Sequence, residues 1–136
     1  MSEEVKKFKI TIDGQTTEVL PGTSILEAAR KIGGKSVPPA MCYYSKLETS
    51  GGRCRTCLVE VSKGSEADPR PMPKLVASCR TNVMDGMEVK NLTSEKAQEG
   101  RKAVTEFLLV NHPLDCPICD QADRKSTRLN SSHITI

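Results

Sequence analysis

The run Cys42-Tyr43-Tyr44-Ser45-Lys46-Leu47-Glu48-Thr49-Ser50-Gly51-Gly52-Arg53-Cys54-Arg55-Thr56-Cys57, followed after a proline-rich interval by Cys79, sets the terms for the whole chain. So little apolar material lies in this loop that its shape needs a support other than a hydrophobic core. Four thiols point to a metal centre as that support. Thiolates are soft ligands, so four-cysteine sites take zinc or iron–sulfur. Zinc ribbons grip the ion with two Cys-x-x-Cys knuckles. Here only Cys54 and Cys57 form such a pair, while Cys42 and Cys79 stand alone at long separations. Gly51 and Gly52 would let backbone N–H groups come close to bridging sulfides. The spacing therefore favours a 2Fe–2S cluster, with a zinc-stabilised binding module as the alternative and unliganded thiols or disulfides behind both. Arg53 and Arg55 flank Cys54 and favour the thiolate and the reduced cluster, or else are solvated surface charge.

Outward from this loop the pattern is α+β. Phe8, Ile10 and Ile12 alternate with Lys9 and Thr11, the period of a half-buried strand, and Asp13-Gly14 suits a tight hairpin turn back into Gln15 to Val19. Ser24 and Glu27 have capping-box spacing, Ile25, Ala28, Ala29 and Ile32 form an apolar stripe, and Gly33 suits the helix end. Pro38 and Pro39 force an extended approach to Cys42. Cys57 to Val61 reads as a third strand, Leu75 to Ala77 as a brief edge element, and Met87 to Lys90 as a last strand. Between them, residues 63–74 carry Pro69, Pro71 and Pro73 and form an exposed connection. A mixed sheet packed on one helix is the economical arrangement. A second helix is expected from about Ser94 to Val110, with Ala97, Val104 and Leu108 on one face and Ala103, Phe107 and Val110 beside it. Asn111-His112-Pro113 ends it.

The second chemical group is His112, Cys116 and Cys119. Taken alone it is half a zinc site or a redox dithiol. Three ligands also leave a cubane one short. His133 is expected to be a solvated residue of the polar tail.

Composition excludes several classes. Of 136 residues, 37% are hydrophobic, 3% aromatic and none Trp, which allows one modest domain or one with a small appendage. The 20 basic and 17 acidic residues are interspersed, giving +3 without a basic stripe. No nucleic-acid interface is expected. No apolar run is long enough to enter a membrane, and residues 1–5 lack the features of a signal peptide. The expected location is the cytoplasm, where thiols stay reduced, which makes metal ligation the better explanation of six cysteines.

Together, Cys42-Tyr-Tyr-Ser, Gly52-Arg-Cys54-Arg-Thr-Cys57-Leu-Val-Glu-Val, Ala77-Ser-Cys79 and Asn111-His-Pro-Leu-Asp-Cys116-Pro-Ile-Cys119-Asp-Gln121 resemble the N-terminal part of the large iron–sulfur subunit of respiratory NADH:quinone oxidoreductase (complex I). The likeness runs from about Phe8 to Gln121. It implies a ferredoxin-like β-grasp with a 2Fe–2S cluster on Cys42, Cys54, Cys57 and Cys79. It also implies a following segment in which His112, Cys116 and Cys119 ligate a 4Fe–4S cluster with one more cysteine. That cysteine is expected six residues after Cys119, where position 125 is Lys, so the second cluster is expected to be incomplete.

The implied layout is a 2Fe–2S domain over residues 1–91 and the start of a 4Fe–4S domain over 92–121. Residues 122–136 form a tail foreign to the family, disordered or joined from elsewhere to a truncated gene. The implied role is relay of electrons from a flavin-bearing NADH-binding subunit toward quinone, in the peripheral arm on the cytoplasmic side of the complex. Such a part catalyses nothing alone, and no glycine-rich dinucleotide fingerprint is present. Similar modules serve the diaphorase units of NAD-linked hydrogenases and formate dehydrogenases, which gives the alternative host.

Overall fold

The computed structural model describes residues 6–48, 51–113 and 117–118. Strands β1 (Phe8–Ile12) and β2 (Gln15–Val19) form the expected antiparallel hairpin. Its two turn residues, Asp13 and Gly14, both have positive φ, 48° and 82°, the backbone twist a two-residue hairpin requires. Helix α1 (Ile25–Ile32) begins on a complete capping box: the Glu27 amide donates to Ser24 Oγ at 3.2 Å and the Ser24 amide to Glu27 Oε2 at 3.3 Å. The Gly33 amide closes the helix on the Ala29 carbonyl at 2.8 Å. A single 3-10 turn, Gly34–Ser36, follows; it carries no sequence signal beyond Gly34 and the capping Gly33 before it.

Three further strands complete the sheet: β3 (Leu58–Lys63), β4 (Val76–Ala77) and β5 (Met87–Lys90). The order is β2-β1-β5-β3-β4. Strand β5 lies parallel to β1 and antiparallel to β3, so the last strand in sequence becomes the centre of the sheet. The sheet with α1 on one face is the ferredoxin-like β-grasp expected from the motifs. Ile10, Ile12, Val59, Val61, Met87 and Val89 from the sheet meet Ile25, Ala28 and Ala29 from α1 in one buried core. Each buried Ile contributes roughly 1.5–3 kcal/mol by leaving water. A smaller cluster sits at one end, where Leu26 packs with Cys57, Ala77 and Cys79.

Helix α2 (Glu95–Val110) is docked by its first half. Its cap, Ser94, accepts from the Ala97 amide at 3.2 Å and donates to Glu60 on β3. Arg101 donates to the side chain of buried Asn91, whose own amide donates to the Ser36 carbonyl at 3.0 Å. A Cβ on Gly100 would press into the side chain of Leu75, so glycine lets the helix lie close against Leu75 and against Leu58 of β3. The apolar face expected on this helix is only partly used. Ala97 is buried and Val104 half-buried, but Phe107, Leu108 and Val110 are 76%, 40% and 78% exposed, because the second half runs beyond the sheet.

The hairpin turn and the start of α2 are tied by one carboxylate. Asp13 accepts from the amides of Asn91 at 2.8 Å, Leu92 at 3.0 Å and Thr93 at 3.4 Å, and from the Thr93 hydroxyl at 2.8 Å. Burial pushes this carboxyl up, but those donors outweigh it and hold it below the ordinary carboxylate range. A folded-state value below the unfolded one contributes stability that is complete above about pH 4 and lost as pH falls through the folded value. Thermal melts across that range should therefore show Asp13→Asn less stable than the parent at neutral pH. The variant should also have a flatter loss of stability below about pH 4.

Candidate metal centre

The end of the sheet at β3 and β4 places two of the four cysteines. Cys57 directly precedes β3, and Cys79 follows β4 with only Ser78 between. Leu58 pairs with Ala77, and the Ser78 amide donates to the Cys57 carbonyl at 3.2 Å, so strand register sets the Cys57–Cys79 relation. From above, the Leu26 amide donates to the Ser78 carbonyl at 3.0 Å, and the Leu26 side chain packs with both cysteines. Cys57 is 0% exposed and Cys79 7%. Two thiols thus rest in an apolar nest built by regular structure.

Cys42 and Cys54 come from the loop between α1 and β3 and are half-buried. The Cys42 amide donates to Cys54 Sγ at 3.4 Å, and Thr56 Oγ1 lies 3.3 Å from the same sulfur. Around Cys54 the loop enters the left-handed region at Gly52 and at Arg55, each at φ 60°. For Arg55 this conformation costs about 1–3 kcal/mol and marks a backbone held to purpose. Buried Gly52 lies against Arg80, where a Cβ would come within 2.8 Å of Arg80 Cγ. Tyr43, next to Cys42, joins the two halves by packing on the Leu26–Cys57–Cys79 cluster. Its hydroxyl donates to Glu27 Oε1 at 2.8 Å, and the Arg30 guanidinium lies 4.7 Å from its ring centroid. Glu27 thereby closes the helix cap with one oxygen and braces the cysteine loop with the other. A cleft of about 260 Å³, lined in part by Glu27, Tyr43, Cys79 and Arg80, opens beside this end.

The electrostatics suit a ligand. Burial pushes the Cys54 thiol up, but the Thr56 hydroxyl and the amides of Thr56, Cys42 and Met41 outweigh it, bringing it down to about 6. Cys54 is then mostly thiolate at neutral pH, the form that binds metal. Arg53 and Arg55 are exposed. None of the four cysteines forms a disulfide. Among the described residues no three His, Cys, Asp or Glu side chains are arranged around one metal ion. A binuclear cluster asks only two thiolates of each iron. The surroundings fit such a group: donors face a sulfur, a buried glycine keeps the backbone close, and the buried Ser78 hydroxyl has no hydrogen-bond partner.

His112 is exposed just past the end of α2, with its amide donating to the Leu109 carbonyl at 3.2 Å. Cys116, Cys119 and His133 fall outside the described residues. Composition alone had not marked Leu26, Tyr43, Thr56 or Ser78. Tyr43, Thr56 and Ser78 carry only the positional hint of adjoining a cysteine, and Leu26 carries none.

A β-grasp sheet with thiols gathered at one edge defines a 2Fe–2S ferredoxin-type domain. Residues 5–94 match the 2Fe-2S iron-sulfur cluster binding domain, and the chain belongs to that family. Residues 101–124 match the NADH-ubiquinone oxidoreductase-G iron-sulfur binding region, so the two matched regions are ones that take a 2Fe–2S and a 4Fe–4S cluster. The chain is 49% identical over 116 residues to an NADH-quinone oxidoreductase subunit of Rickettsia bellii, covering 84% of this chain and 15% of that protein. It is 47% identical over 114 residues to the NADH-ubiquinone oxidoreductase 75 kDa subunit of Reclinomonas americana (82% and 14%). It is 42% identical over 120 residues to the mitochondrial NADH-ubiquinone oxidoreductase 78 kDa subunit of Candida albicans (88% and 15%). The chain thus spans about 15% of the length of these relatives. Among solved structures, it is similar to an NAD+-reducing NiFe-hydrogenase in the H2-reduced state. That match has a TM-score of 0.63 and 27% identity, over 81% of this chain and 41% of that one.

Gly52→Ala places a side chain at positive φ against Arg80. Denaturant unfolding should show a loss of about 1–3 kcal/mol, whereas Gly51→Ala, at a residue with more open surroundings, should cost less.

Proposed function

We propose that this chain is an electron-relay module. Cys42, Cys54, Cys57 and Cys79 hold its 2Fe–2S cluster, which takes electrons singly from a flavin-bearing NADH-oxidising subunit on the way to quinone. The observation that carries this reading is the convergence of the Cys42 amide and the Thr56 hydroxyl on Cys54 Sγ, beside a nest that buries Cys57 and Cys79. Donors aimed at sulfur stabilise negative charge on a thiolate-ligated cluster, and apolar cover keeps water from it. The names of the relatives, all NADH-ubiquinone or NADH-quinone oxidoreductase subunits, supply the direction of flow. The chain's own work is to bind, orient and shield; the redox chemistry is the cluster's.

Residues 1–91 form the 2Fe–2S domain in this reading, 92–121 begin the 4Fe–4S segment, and 122–136 lie outside both. His112, Cys116 and Cys119 are three ligands of the second cluster, and with Lys at position 125 that cluster is incomplete and labile here. The module sits in the peripheral arm on the cytoplasmic side. In keeping with this, no helix among the described residues is long and apolar enough to cross a membrane. A second host, the diaphorase unit of a hydrogenase, is favoured by one observation, the fold shared with the NAD+-reducing hydrogenase.

Anaerobic reconstitution with iron and sulfide tests the assignment. A brown protein that bleaches with dithionite and holds about two irons per chain is expected, and Cys57→Ser should lose it. A colourless zinc protein would overturn the relay. About six irons per chain would overturn the incomplete second site. With the cluster in place, NADH should reduce it only when the flavin-bearing subunit is added.

A further inference from the structure

We propose that Thr56 is a positioning residue that raises the reduction potential of the 2Fe–2S centre through a hydroxyl hydrogen bond to the sulfur of Cys54. The inference rests on the ligand assignment above and goes beyond it, since Thr56 is no ligand. Thr56 is 5% exposed, and its Oγ1 lies 3.3 Å from Cys54 Sγ. A buried hydroxyl needs a partner, and here the sulfur supplies it. While Cys54 carries its thiol proton, either atom can donate. A thiolate bound to iron has no proton, so in the loaded protein the hydroxyl is the donor and the sulfur the acceptor.

Local backbone geometry makes the contact. Arg55, between the two residues, stands in the left-handed region at φ 60°, and this tight bend turns Thr56 back on the sulfur two residues earlier. The Arg55 side chain itself is exposed, so the bend is not there to bury it. What the bend achieves is the approach of the Thr56 amide and hydroxyl to Cys54. The Cys42 amide also reaches this sulfur, at 3.4 Å. The Cys42 amide and the Thr56 hydroxyl therefore meet at one sulfur.

One-electron reduction adds one negative charge to the centre and needs no proton from Thr56. The hydroxyl keeps its proton, and its hydrogen bond strengthens as charge on the sulfur grows, so it favours the reduced state over the oxidised one. Valine has nearly the same shape and packs in the same site without a donor. Serine restores the donor without the methyl group.

The test uses the reconstituted full chain and the variants Thr56→Val and Thr56→Ser, titrated with dithionite against redox mediators. Thr56→Val should keep its iron content but show a reduced-to-oxidised ratio lower by on the order of tenfold at a given ambient potential. For a one-electron couple that is a shift of about 59 mV to more negative values. Thr56→Ser should return most of it. Equal potentials for the parent and Thr56→Val would overturn this inference and leave the ligand assignment standing. Failure of the parent to take up iron would overturn the ligand assignment, and this inference with it. If Thr56→Val loses its cluster, Thr56→Ala takes its place in the same titration: a potential more negative than the parent's, returned by Thr56→Ser, supports the bond, and a potential equal to the parent's overturns it.

Discussion

The hydrogen bond from the Ser78 amide to the Cys57 carbonyl is the constraint on which this end of the molecule depends. It extends the β3–β4 pairing by one step and locks the two buried thiols into strand register. Strand geometry is stiff, with neighbouring strands held about 4.8 Å apart, so these sulfurs are placed by the sheet itself. Everything looser is referred to that pair. Leu26 caps it from α1, Tyr43 packs on it from the loop, and Glu27 and Arg30 hold Tyr43 in turn. One short helix therefore serves the core on one side and the thiol nest on another.

Much of the architecture was legible in the residues. Alternation in Phe8 to Ile12, the Asp13-Gly14 turn and the Ser24/Glu27 box are local signals, and each produced the element it announced. Sheet order was not legible, because nothing in Met87 to Lys90 says that this strand will lie between β1 and β3. Such pairings are decided by which apolar faces must be covered together, a property of the whole chain. The second helix shows the same limit. Its periodicity was read correctly, yet Phe107 and Val110 are exposed, because periodicity marks a face without saying how far the surface beneath it extends.

For the metal centre, the cysteines announced themselves and their surroundings did not. Spacing alone left zinc open beside iron–sulfur. Family membership is what removes that doubt for the domain as a whole. The donors around Cys54 depend on the left-handed bend at Arg55, which is unusual for an arginine and has no sequence signature. Glu27 was visible as a helix cap but not as the acceptor of Tyr43, since that contact spans sixteen positions and arises only in the folded chain.

The main core of Ile10, Ile12, Val59, Val61, Met87 and Val89 against α1 shares none of its buried residues with the thiol nest. The apolar frame of sheet and helix is thus packed by residues separate from those that bury the thiols. A change among the thiol residues therefore removes no buried member of the main core, and the two ends of the domain can vary separately.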